Sequence, residues 1–360
     1  MTHARVSFGC LLAIAACSNS KSPLGDADSS GANGGTGNSS GGSGGLTNGS
    51  GGAPAEPTPR FHPPPGFESC VHAKVEAHCT DGWCTLPPSC FVMGSPETEW
   101  RHGLYTEDLT AVTLTHSIEV QQKEFTRAEW ETIVGAAPPP DACEDVDCAV
   151  ICDQPNCPVA NVSWWDALHV ANLLSAQNGH SPCYQPVGCT GSLGVDLDCT
   201  GVAAPNASVY ECEGYRLPTR AEAEYAARAG TISTFYSGDI VAQEDATLCL
   251  LDPALETIAW YCNNSGGRAH LGGELEPNGF GLYDTIGNIN EWTNEDQSYS
   301  SSPGGSDPRG AVGDFSHPAR LVVGGQYTRK AYLCRPASLL SIPAPDRGPA
   351  LGLRLVRTLP

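Results

Sequence analysis

Polar and apolar residues alternate at helical spacing in three stretches of this chain, and each stretch begins with a capping residue. In Thr126-Arg127-Ala128-Glu129 the hydroxyl and the carboxylate are placed to satisfy each other's orphan amides, which predicts a helix running to about Val134. Ser163-Trp164-Trp165-Asp166 predicts a second start, followed by Ala167, Val170, Ala171 and Leu174 on one face to about Gln177. Thr219-Arg220-Ala221-Glu222 repeats the capping box. Its helix runs through Glu224, Tyr225 and Arg228 to Gly230, which suits a left-handed C-cap. Short apolar runs predict strands at 91–95, 116–122, 320–323 and 353–356. The stretch after Gly230 is rich in Gly, Pro and Asn, so it must be loop-heavy, and no internal repeat is present.

The first sixty residues follow another pattern. Residues 1–5 carry one positive charge, and 6–16 form an apolar run too short to span a bilayer but suited to a cleaved secretory signal. The run ends in Ile14-Ala15-Ala16-Cys17, which resembles a bacterial lipobox and implies lipid on Cys17; an ordinary signal cut nearby is the alternative. Residues 18–59 are nearly all Gly, Ser, Asn, Ala and Pro with no aromatic, and such a chain cannot bury enough apolar surface to offset its ordering entropy. As a Gly-rich coil of about 42 residues it reaches roughly 35 Å. The expected organisation is a signal (1–16), a lipid anchor and stalk (17–59), a cysteine-rich lead-in (60–90) and one domain (91–360). Ser18 follows Cys17, and no Asp stands there to signal inner-membrane retention, so the expected place is the outer membrane, facing either side.

Charge and cysteines narrow the picture further. The formal net charge is −21, and −22 without residues 1–16, which hold Arg5 and no acid. So acidic a chain argues against nucleic acid and anionic membrane surfaces as partners, and leaves room for divalent cations. Of 17 cysteines, Cys10 leaves with the signal and Cys17 takes lipid. The rest fall in clusters: Cys70, Cys79, Cys84 and Cys90; Cys143, Cys148, Cys152 and Cys157; Cys183, Cys189, Cys199 and Cys212; then Cys249, Cys262 and Cys334. With no Cys-x-x-Cys pair for zinc, an exported chain is expected to join them as disulfides, mostly within clusters. Their number is odd, so one thiol is left over or pairs with another chain.

No His-Glu-x-x-His, Gly-x-Ser-x-Gly or phosphate-loop signature occurs. Ordered landmarks do: Phe91-Val92-Met93-Gly94-Ser95; Pro158-Val159-Ala160-Asn161-Val162-Ser163-Trp164; Tyr215-Arg216-Leu217-Pro218-Thr219-Arg220-Ala221-Glu222; Pro277-Asn278-Gly279-Phe280-Gly281-Leu282-Tyr283-Asp284; Gly287-Asn288-Ile289-Asn290-Glu291-Trp292; Gly324-Gly325; and Gly352-Leu353-Arg354. In this order they resemble the formylglycine-generating enzyme family, or sulfatase-modifying factors, over about residues 91–357. The resemblance implies a single mixed α+β domain, a loop-rich variant of the C-type lectin fold.

The resemblance also implies chemistry, and here the chain departs from the pattern. Working members hold copper(I) on two cysteines, four and nine residues after the second Gly of Gly-Gly, and oxidise a substrate cysteine to formylglycine. Counted from Gly325 these places hold Arg329 and Cys334, so the first thiolate is replaced by a cation. The aromatic before Glu291 is Asn290, the Ser after Gly-Gly is Gln326, and the Asn of the final motif is Ala350. Copper is therefore not expected, and iron, which would need ligands from distant residues, stays open. Cys334, the one catalytic position retained, is either an inert or structural sulfur or a reactive thiol whose pKa is lowered by Arg329, Lys330 or Arg335. The resemblance further implies calcium on the side chains of Asp284 and Glu291 and the carbonyls of Gly287 and Ile289, hard donors in a tight loop; the alternative is two carboxylates that cap turns. Two functions follow: a binding or scaffold module for an exported protein or peptide, or an oxidoreductase acting on an exported substrate by other chemistry.

Overall fold

The three helices form where their caps place them. In the computed structural model, which describes residues 63–103, 107–140, 152–203, 208–243, 245, 247–299, 304–308 and 318–360, helix α1 is Arg127–Val134, α2 is Trp164–Gln177 and α3 is Arg220–Arg228. Thr126, Ser163 and Thr219 each accept the third helical amide, and Glu129, Asp166 and Glu222 return the bond. The left-handed cap of α3 is one residue earlier than expected, at Ala229 (φ 44°), with Gly230 following at φ 80°. A side chain at 230 would also meet Val75 at 2.6 Å, so glycine is needed there for space as well as for its backbone angle. The signal, Cys17, the stalk, Cys143 and Cys148 lie outside the described residues.

Two larger sheets carry the molecule. An antiparallel five-stranded sheet runs in the order Cys79–Thr80, Trp83–Leu86, Ile118–Gln121, Val356–Thr358, Tyr215–Arg216. Its first two strands come from the cysteine-rich lead-in. A four-stranded sheet runs Leu340–Pro343, Ala319–Val323, Asn290–Asp296, Leu351–Gly352, the last pair parallel. The strand expected at 353–356 is split, because the chain there crosses from one sheet to the other and residues 353–355 can pair fully in neither. Ser89–Met93, Thr110–Leu114 and Gly305–Ser306 form a third, smaller sheet.

Burial explains which elements meet. One core gathers Trp130, Trp164, Trp165, Trp292 and the inner faces of α1 and α2. A second packs Phe91, Met93, Val112 and Val120 against Tyr225 of α3 and Phe280. A third, smaller one holds Phe235, Leu255, Ile258, Tyr261, Ala331 and Cys334. Six disulfides brace the described residues, Cys70–Cys90, Cys79–Cys84, Cys152–Cys157, Cys183–Cys212, Cys189–Cys199 and Cys249–Cys262, all within their sequence clusters. The free cysteine among them is Cys334.

Candidate functional site

Two neighbourhoods gather the residues singled out by sequence. The first is built on the Gly324-Gly325 turn that ends strand Ala319–Val323. Both glycines have positive φ, and any side chain at 325 would meet the Cys334 sulfur at 2.7 Å. The short 3-10 helix Ala331–Cys334 therefore packs directly on that turn, with the thiol buried beneath it. Burial pushes the Cys334 thiol up to about 12, against the opposing pull of a Gln326 backbone hydrogen bond and the Arg329 charge. It is protonated at neutral pH, the reverse of the lowered pKa that a reactive thiol requires.

The cations beside it divide their roles. Arg335 is spent on structure: its guanidinium binds Glu99 at 2.6 Å, Glu107 at 2.6 and 3.0 Å, and the Arg101 carbonyl at 2.6 Å. Arg329 is not. Among the described residues its guanidinium has neither ion pair nor hydrogen bond, and it lines a cleft with Asn290, Val322, Val323, Gly325, Leu333, Ser338, Leu339 and Leu340. The donor set does not fit copper(I), because a soft monovalent ion needs thiolate or thioether ligands and these two positions offer one buried neutral thiol and a cation.

The second neighbourhood is the turn from Asp284 to Glu291. Asp284 and Asn288 take left-handed backbone angles (φ 53° and 56°), which fold the turn tightly around Gly287. Asp284 accepts the Gly273 amide at 2.7 Å on one oxygen, while its other oxygen is buried without a hydrogen-bond partner. Glu291 is held by Arg354 at 2.8–3.1 Å, and Arg354 also binds the carbonyls of Gln121 and Tyr283, both at 2.9 Å. Burial raises Asp284 to about 6. A third acid, Glu124, joins them from the turn after strand Ile118–Gln121. It accepts from the Asn288 side chain at 2.7 Å and the Ile289 amide at 3.1 Å, and burial, then the charges of Asp284 and Glu291, push its pKa well up. The three carboxylates do not close to within 4.8 Å of one another, so they form no three-carboxylate cage. The orphaned Asp284 oxygen and the excess of buried acid do fit a hard cation in chemistry. The residues that could hold it are Asp284 and Glu291 with the Gly287 and Ile289 carbonyls.

The metal-type group within 4.8 Å among the described residues is His169 with Cys189 and Cys199, and those two sulfurs are joined to each other as a disulfide.

Residues 71–359 match the family described as the sulfatase-modifying factor enzyme 1-like domain. The chain belongs to this family. A chaperone protein LppX of Paenibacillus barcinonensis is 26% identical over 263 residues, covering 65% of this chain and 78% of that protein. The formylglycine-generating enzyme of Mycobacterium tuberculosis is 31% identical over 238 residues, covering 58% and 72%. Among solved structures, Treponema denticola variable protein 1 superposes with a TM-score of 0.56 at 25% identity, over 77% of this chain and 95% of that one. The fold is thus formylglycine-generating-enzyme-like, mixed α+β and disulfide-braced, as the landmarks implied.

Sequence reasoning missed Glu124, Ser338 and the role of Arg354. Arg354 stands in a quoted motif, but Glu124 and Ser338 carry no local signal. They reach their sites only because strands distant in sequence pair there.

Proposed function

We propose that this member of the sulfatase-modifying factor family is an exported, lipid-anchored binding module that holds an exported protein or peptide and does not make formylglycine. One observation carries the reading: where the family's chemistry needs a pair of thiolates, this chain has Arg329, whose guanidinium has no partner among the described residues, and a buried, protonated Cys334 thiol. A guanidinium stays charged at every physiological pH and offers no lone pair to a metal. A family relative named as a chaperone supports a role in holding polypeptide. The lipobox-like end at Cys17 and the cysteine-dense domain support export and anchoring. Calcium, held by Asp284 and Glu291, would supply a fixed positive charge that balances buried acid and braces the turn; it takes no part in a reaction.

The test supplies copper(I) and oxygen to the purified domain with a cysteine-bearing sulfatase peptide, and reads aldehyde with an aminooxy reagent. No aldehyde is expected, and metal analysis of the periplasmic protein should return no stoichiometric copper or iron. Turnover of the peptide to aldehyde would end the proposal.

A further inference from the structure

Helix α2 and the hairpin of strands Gln185–Val187 and Gly201–Ala203 bring three ligand-type groups together, outside the Gly325 and Asp284 turns. One ring nitrogen of His169 and the sulfurs of Cys189 and Cys199 all lie within 4.8 Å of one another. In the oxidised protein the two sulfurs are bonded to each other and offer no thiolate. What reduction leaves behind depends on whether the S–S bond is what keeps the sulfurs beside the ring.

The backbone keeps them there. Val187 pairs with Gly201, and Thr190 and Asp198 exchange both backbone hydrogen bonds, at 2.8 and 3.0 Å. Cys189 and Cys199 stand opposite each other between these two pairs, so the ladder sets their register without the disulfide. The hairpin is also fixed to the helix on either side of His169. At its tip the Gly194 amide donates to Asp166 at 2.9 Å. At its base Asn172 donates to the Tyr184 carbonyl at 2.9 Å and accepts the Tyr184 amide at 3.2 Å. Asp166, His169 and Asn172 follow at three-residue spacing on α2, which places the ring between the two clamps. The Cys183–Cys212 bridge braces the base separately.

The histidine gives a second, independent sign. Its Nε2 is buried and has no hydrogen-bond partner among the described residues. A buried ring nitrogen left so costs free energy that a ligand bond would recover. Burial also holds its pKa below the ordinary histidine range, against the pull of Asp166, so the ring is neutral and keeps a lone pair.

We propose that reduction of Cys189–Cys199 opens a zinc site, with His169 and the two thiolates as ligands and water in the fourth position. The site goes beyond the binding role proposed above and does not depend on it. Cys189 is the exposed cysteine among the described disulfides, so its sulfur is the one an incoming thiolate reaches. An exported protein dithiol attacks there, forms a mixed disulfide and releases the Cys199 thiolate. Its second thiol then frees Cys189, and the reductant leaves as a disulfide. Two electrons and two protons pass to the cysteines, and zinc displaces the two protons as the S–Zn bonds form. Two thiolates balance a divalent ion, whereas copper(I) would leave one negative charge over, and a mixed sulfur and nitrogen donor set suits zinc.

The experiment treats the full-length protein with limiting phosphine reductant, maps the opened bridge by differential alkylation and mass spectrometry, and then adds zinc. Cys189–Cys199 should open before the other described disulfides. The reduced protein should then retain one more equivalent of zinc through gel filtration than the oxidised protein, and zinc should protect both cysteines from iodoacetamide. His169→Ala should open the same bridge first but bind zinc at least about tenfold more weakly against a chromophoric chelator, as the loss of a direct ligand. The double variant Cys189→Ser, Cys199→Ser should retain no more zinc than the oxidised parent. Alkylation protection in the parent keeps the test decisive if that variant fails to fold. Another bridge opening first, no extra zinc after reduction, zinc that leaves both thiols reactive, or equal affinity in His169→Ala would overturn the site.

Discussion

At the scale of single residues, burial rather than charge sets the chemistry of Cys334 and Glu295. Arg329 lies near enough to favour a Cys334 thiolate, but removal from water outweighs it and the thiol is raised to about 12. Iodoacetamide applied to the unreduced native protein at neutral pH should therefore leave Cys334 unmodified, with alkylation appearing only in guanidinium; mass spectrometry of the peptide decides it, and native labelling would contradict the burial argument. Glu295 is raised to about 7, first by burial and against the pull of the Arg220 amide at 2.8 Å. The folded carboxyl holds its proton while the unfolded one, at its ordinary value of 4.5, releases it, so stability is lost as pH rises between these values. Glu295→Gln removes that dependence. Its stability relative to the parent should rise between pH 4.5 and pH 8, by up to about 3 kcal/mol, read from urea unfolding at both pH values; an unchanged difference would mean that the carboxyl ionises normally.

At the scale of elements, α3 shows how a local signal becomes a tertiary one. Its capping acid Glu222 also takes Arg216 through two bonds of 2.7 Å, and both side chains are fully buried. Arg216 belongs to the strand Tyr215–Arg216, so this pair fixes the helix to the edge of the five-stranded sheet. Glu222→Ala should cost about 3–5 kcal/mol, because it strands a buried guanidinium as well as removing a cap. Thr219→Ala, which removes only the hydroxyl of the cap, should cost about 1 kcal/mol in the same urea titration. Costs of similar size would show that the ion pair adds nothing to the cap.

The helices were readable because a capping box is written within four consecutive residues. The strand Asn290–Asp296 was not: apart from Trp292 it is entirely polar, and all seven residues are buried. Hydropathy cannot find such a strand, since several of its groups bond to distant residues, Trp292 to the Val162 carbonyl, Thr293 to that of Leu321, and Glu295 to the Arg220 amide. The same holds for the cleft. Arg329 and Asn290 stood out as departures from a motif, but only strand pairing shows that they share a cavity with Ser338.

At the scale of the whole molecule, Arg354 and the Asp284 turn join the two large sheets. Arg354 lies in the segment that crosses between them, grips Glu291 of the four-stranded sheet, and binds the carbonyl of Gln121 in the five-stranded one. Glu124, just beyond that Gln121, reaches back to Asn288 and Ile289. So much buried acid around one guanidinium leaves the junction short of positive charge, and the partnerless Asp284 oxygen marks where a cation would relieve it. Calcium bound there in the folded state alone should stabilise the domain by about 2.7 kcal/mol at a hundredfold excess over its dissociation constant. Chelation with EGTA should accordingly lower the melting temperature of the parent, calcium should restore it where magnesium does not, and Asp284→Ala should abolish the difference. A melting curve indifferent to EGTA, from protein that carries no calcium by metal analysis, would leave Asp284 and Glu291 as carboxylates that only close a turn, with Arg354 and Glu124 joining the sheets without a metal.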